Sequence, residues 1–230
     1  MLLVITWICL FFSYALGNTE KVIFLGPPPV DPAFAYPSAD YTHLPALDPG
    51  NNLIRVYLEA EPPVRISKGG KPSWFILRNL TESQRYEVRI CWAATQPTTF
   101  KLEVHELETL ARVPELLSEL SEYALSLHRD VPDGTVSSQG MMGGEKQPIM
   151  FLRILTVADF YTQNRTLMSN APPALVDIIM DPFILNVLPQ SLVPTVAYIS
   201  AVATASWFAG NLVSSWICIF TEPGSKRKVP

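Results

Sequence analysis

Arg85-Tyr86-Glu87-Val88-Arg89-Ile90-Cys91-Trp92 carries the clearest pattern in this 230-residue chain. Tyr86, Val88, Ile90 and Trp92 fall on one side of an extended backbone, and Arg85, Glu87, Arg89 and Cys91 on the other. A period of two with one apolar face is the signature of a half-buried antiparallel strand. Residues 98–105 (TTFKLEVH) repeat it, with Phe100, Leu102 and Val104 inward. The short link 93–97 between the two runs predicts a hairpin-like connection.

Further strands are expected on either side, at 21–25 (KVIFL), 53–60 (LIRVYLEA), 73–78 (SWFILR) and 148–161 (PIMFLRILTVADFY). Residues 26–50 are studded with proline, which excludes a regular helix or a central strand. Pro62-Pro63 stops the second strand, and residues 68–72 (KGGKP) read as a turn. At 114–128 (PELLSELSEYALSLH) the period changes. Leu116, Leu117, Leu120, Ala124 and Leu127 share a helical face, with Pro114 at the first position. This predicts a helix packed at the end of the sheet. Its polar face, Glu115, Glu119 and Glu122, disfavours anionic lipid. Residues 131–147 read as a loop. An amphipathic piece at 173–188 leads toward the carboxyl end, and Asp177 and Asp181 argue against a membrane span there.

Residues 80–90 (LTESQRYEVRI) resemble the corner before a late strand in fibronectin type III and related immunoglobulin-like sandwiches, where a leucine precedes the corner tyrosine by six residues and the hydroxyl bonds back to the chain. The expected fold is mostly β: an immunoglobulin/fibronectin-III-like β-sandwich over residues 18–188, carrying a helical insertion. The chain holds 21 prolines against 11 glycines, which suits a turn-punctuated extracytoplasmic β domain.

Residues 193–220 (VPTVAYISAVATASWFAGNLVSSWICIF) carry no charge and suffice for a transmembrane helix across about 30 Å of hydrocarbon. Upstream lie Asp177 and Asp181; downstream come Lys226, Arg227 and Lys228. The basic flank is expected in the cytosol, in a tail of residues 221–230, with the β domain luminal. That tail also argues against a GPI-anchor signal. Residues 1–17 form an apolar run ending Ala15-Leu16-Gly17, which predicts a cleaved signal peptide although no Lys or Arg precedes it.

Two sequons, Asn79-Leu80-Thr81 and Asn164-Arg165-Thr166, are candidate glycan acceptors in a translocated domain. Lys226 and Lys228 stand five and three residues from the carboxyl end, a spacing that resembles the dilysine retrieval signal of endoplasmic-reticulum proteins and implies coat machinery as a reader. Ala197, Ala201, Ala205 and Ala209 recur every four residues in the span, with Ser206, Gly210 and Ser214 as a neighbouring small row. Small residues at this spacing admit close packing of a partner helix. Tyr198, Val202, Phe208 and Leu212 are expected on the other, lipid-facing side.

The net charge of −4 with one basic cluster excludes an electrostatic footprint for nucleic acid. Of the three cysteines, Cys9 lies in the leader and Cys218 in the span, so Cys91 has no intramolecular partner in the β domain and reads as a small buried hydrophobe. His43, His105 and His128 form no metal or nucleophile motif, and Glu106, Glu108, Asp130 and Asp133 show no acid/base spacing. No catalytic, cofactor or metal site is expected.

The layout, with residues 86–94 (YEVRICWAA) and 177–189 (DIIMDPFILNVLP), resembles the fungal co-activator subunit of GPI mannosyltransferase II. That resemblance implies a non-catalytic, single-span accessory subunit in the endoplasmic-reticulum membrane. Its partner would be the polytopic mannosyltransferase that adds the second mannose to GPI precursors. A luminal cargo receptor or chaperone-like binding protein is the alternative, and a lumen-facing hydrolase a third class.

Overall fold

The computed structural model describes residues 17–29, 41–63, 69–130 and 148–221. The expected signal peptide, except Gly17, lies outside the described residues. So do the loop at 131–147 and the basic tail, with Lys226 and Lys228.

Among the described residues, nine strands and four α-helices follow in order: β1 Gly17–Leu25, β2 Ala46–Leu47, β3 Leu53–Leu58, β4 Lys71–Leu77, β5 Arg85–Ala93, β6 Thr98–Glu106, α1 Leu107–Arg112, α2 Pro114–Asp130, β7 Met150–Ala158, α3 Arg165–Ser169, β8 Ala174–Ile184, β9 Leu188–Pro189 and α4 Val193–Thr221. Eight strands make two sheets, ordered β1-β5-β8-β3 and β2-β4-β7-β6, and β9 folds back on β8. All pairs are antiparallel except the short edge pair β2–β4.

The core between the sheets follows from the alternation. Tyr86, Val88, Ile90 and Trp92 of β5, with Val176, Ile178 and Met180 of β8, meet Phe75, Leu77, Leu152 and Ile154 of the second sheet. The second sheet is covered on its outer face as well. There Trp74, Ile76 and Phe151 pack under Leu110 of α1 and Leu120 and Ala124 of α2. Strands β4 and β7 are therefore apolar on both faces and read as near-continuous hydrophobic runs. The predicted face of α2 is the buried one, but the helix lies across the sheet's face and not at its end.

The link at 93–97 is not a hairpin. β5 belongs to the first sheet and β6 to the second, so it arches across the core. Trp92 and Phe100 meet edge to face at 4.6 Å over this arch. Two successive strands with inward apolar faces satisfy either connection, and burial between sheets selects the arch. Residues 173–188, read as an amphipathic piece, hold all of β8, the strand between β5 and β3, and the turn that follows it.

At the corner before β5 the Tyr86 hydroxyl accepts from the Thr81 amide at 2.8 Å and donates to Gln84 Oε1 at 3.0 Å. Asn79 and Ser83 turn the chain with φ of 54° and 61°. Gly26 fits against this corner because it has no side chain; a Cβ there would sit 2.1 Å from the Thr81 carbonyl oxygen. The β8–β9 turn places Leu185 and Asn186 at φ of 52° and 58°, a pair of left-handed residues typical of a type I′ hairpin. For leucine that conformation costs about 1 kcal/mol.

Candidate functional site

Two buried carboxylates lie side by side on the outer face of the first sheet, and one of them anchors the turn that leads into α4. Glu87 of β5 and Asp181 of β8 are cross-strand neighbours in register. Strand alternation puts Glu87 on the polar side, as the sequence suggests, yet both side chains are almost fully buried, 5% and 3% exposed. Lys21 Nζ donates to Glu87 at 3.1 Å, and Arg89 lies 3.7 Å from the same carboxylate. Asp181 turns to the chain beyond β9, where it accepts from the Ser191 amide at 3.2 and 3.3 Å and from the Ser191 hydroxyl. Arg89 Nη2 reaches that hydroxyl at 3.5 Å. Ser191 lies in a 3₁₀ turn, Gln190–Leu192, that runs directly into α4. A buried carboxylate bonded to the first turn of a helical segment satisfies amide groups that lack an intrahelical partner. The junction was missed in the sequence, where Asp181 serves only as an argument against a span.

Farther along the same face, Arg55 grips Asp177 with both arms, at 2.6 and 2.7 Å. This holds the Asp177 carboxyl below the usual carboxylate range. Cys91 sits beside this pair in register with Asp177, half-buried on the outer face, with its sulfur 3.5 Å from Thr19 Oγ1. It is not a core residue. The register of β5 gives the reason: Cys91 alternates with Trp92 and shares the face of Arg89.

α4 is 29 residues long, and it is long and apolar enough to cross a membrane. Its described side chains are exposed. Ala197, Ala201, Ala205 and Ala209 form the expected row. Helix geometry corrects the composition of the opposite side. Phe208 follows Ala205 by three residues and Leu212 follows Ala209 by three, so both fall on the alanine side, flanked by Tyr198 and Val202. Steps of four overshoot a turn, so the row winds across the helix and meets them. The far side carries Ser200, Ala203, Trp207, Gly210, Asn211 and Ser214. Asn211, an amide roughly 6 Å beyond the helix midpoint at about 1.5 Å per residue, is the polar group in the span that the sequence reading passed over. One asparagine inside an uncharged run was the available signal.

Asn79 and Asn164 are both exposed. Asn164 caps α3, its Oδ1 accepting from the Thr166 amide at 3.0 Å. The histidines lie apart on separate elements, His43 in a 3₁₀ turn, His105 in β6 and His128 near the end of α2. Glu103 and Glu119 are engaged by Arg153, which donates to both at 2.6 to 2.9 Å and lies over the Trp74 ring. That network fastens α2 to the second sheet. Among the described residues no three His, Cys, Asp or Glu side chains gather as a metal cage.

Comparison with protein-family models, with curated protein sequences and with solved structures gave no match.

Proposed function

We propose that the chain is a non-catalytic accessory subunit of a membrane-embedded GPI mannosyltransferase, holding an immunoglobulin-like luminal domain against its partner through one transmembrane helix. In this reading the protein is a single-pass type I protein of the endoplasmic reticulum. Residues 1–17 are removed, Asn79 and Asn164 carry glycans, and Lys226 and Lys228 return it from later compartments.

The observation that carries the reading is α4, a helix long and apolar enough to span a membrane, whose small-residue rows are exposed and which follows a 3₁₀ turn fastened to a buried carboxylate of the β domain. A helix so fastened transmits a docking position in the bilayer to the domain outside it. The two stretches that bear the family resemblance, 86–94 and 177–189, support it too. They cover most of the paired strands β5 and β8 and run to the edge of that junction.

The test is detergent pull-down of the tagged full-length chain with mass spectrometry. A polytopic mannosyltransferase is expected in the wild-type eluate and is expected to be lost from Ala201→Leu/Ala205→Leu. Gly210→Leu/Asn211→Leu probes the far side. Recovery of soluble secretory clients without a polytopic enzyme would replace the subunit reading with that of a cargo receptor.

A further inference from the structure

The β8–β9 hairpin ends in apolar side chains held out from the domain. Leu185 is 90% exposed and Val187 78%, with Ile184 beside them half-exposed. The tip is not a slack loop. Val187 N–H closes the turn on the Ile184 carbonyl at 3.1 Å. Asn186 ties it to the tyrosine corner, accepting from the Arg85 amide at 2.8 Å and donating to the Ser83 carbonyl at 2.9 Å. Leu185 occupies a left-handed position where asparagine or glycine would be at ease. A bulky apolar residue kept there, in full solvent, gains nothing within the fold.

The neighbourhood says what covers it. Val187 stands six residues before α4, and Ser191 between them is fixed to Asp181, so the tip lies within about 20 Å of the point where the span begins. Leu192 and Val193 continue the exposed apolar surface. From Pro182 to Phe220 there is no charged residue. An uncharged, rigid apolar tip beside the entry of an apolar helix matches the interfacial zone of a bilayer.

We propose that Leu185 and Val187 insert into the lipid interface on the side where α4 enters, as a second membrane contact that fixes the orientation of the β domain. The proposal rests on α4 crossing a bilayer and is independent of which protein the chain assists.

The test uses full-length Leu185→Cys in a Cys91→Ser/Cys218→Ser background. Cys9 is also changed to serine, so that the introduced cysteine is the one thiol; it is labelled with an environment-sensitive fluorophore, and the chain is reconstituted alone into phosphatidylcholine vesicles washed with alkali. Tyr161→Cys, on an exposed segment far along the chain from the hairpin, is the control. The expected result is blue-shifted emission at 185, quenched by lipids carrying a nitroxide high on the acyl chain, with aqueous emission at 161. Leu185→Asn/Val187→Ser, suited to the turn, is expected to remain folded while a label at Ile184→Cys loses its quenching. Aqueous, unquenched emission at 185 in pure vesicles overturns the proposal. So does a blue shift that appears only in native membranes, which would assign the tip to a protein partner, and so does release of the chain by alkali.

Discussion

Asp181, buried in β8, accepts hydrogen bonds from both the amide and the hydroxyl of Ser191, ten residues later and two before the long apolar helix α4. Replacing the carboxylate by leucine leaves that amide and the helix start unsatisfied. Asp181→Leu is expected to cost about 1–3 kcal/mol, and Ser191→Ala, which keeps the amide bond, about 1 kcal/mol. Thermal unfolding of the detergent-solubilised chain measures the ranking. Limited proteolysis is expected to cut between residues 187 and 193 faster in the aspartate variant.

The tyrosine corner gives a second test. Tyr86→Phe removes an acceptor from the Thr81 amide and a donor to Gln84 without changing the core packing of the ring on Phe24. The expected loss is about 1–3 kcal/mol, read as a lower midpoint in denaturant with an unchanged slope. A midpoint equal to wild type would mean that water replaces both bonds.

Acid sensitivity is expected from the network under α2. Partial burial pushes the Glu103 carboxyl upward, but Lys101 and Arg153 outweigh it and hold it at about 2, against an ordinary 4.5. A carboxylate more acidic when folded adds stability above its unfolded value and loses it as pH falls from 4.5 toward 2. Glu103→Gln is expected to lower the unfolding temperature near neutral pH, with the gap to wild type closing below pH 4.5. Parallel curves down to pH 2 would remove Glu103 from this role.

Asn79→Gln and Asn164→Gln are each expected to remove one glycosidase-sensitive step in gel mobility, and the double variant both. Asn79 holds a left-handed backbone and Asn164 a helix cap. Each change is therefore also expected to cost about 1 kcal/mol in the deglycosylated protein. A chain with neither step would remove both asparagines as glycan acceptors.

Much of the architecture was legible because it is local. The alternation in β5 and β6, the apolar face of α2 and the uncharged run of α4 each follow from the spacing of a few side chains. The arch between Trp92 and Phe100 was not legible, since an inward apolar face looks the same in a hairpin and across a sandwich. Nor was the placement of β8 inside its sheet, because its strand partners are far away in the chain, or the burial of Glu87 and Asp181, because the pairing of β5 with β8 is what sets them side by side. The side of α4 to which Phe208 belongs was readable from residue spacing alone, and a four-residue step was mistaken there for a whole turn.

The order of synthesis gives β8 a particular weight. It is the last long strand to be made, yet it fills the gap between β5 and β3. Until residues 174–184 arrive, the first sheet is two unjoined edges with their apolar faces half open. The β layer can therefore close only when the residues directly preceding α4 have been made, so completion of the sheet and emergence of the long apolar helix become nearly simultaneous events.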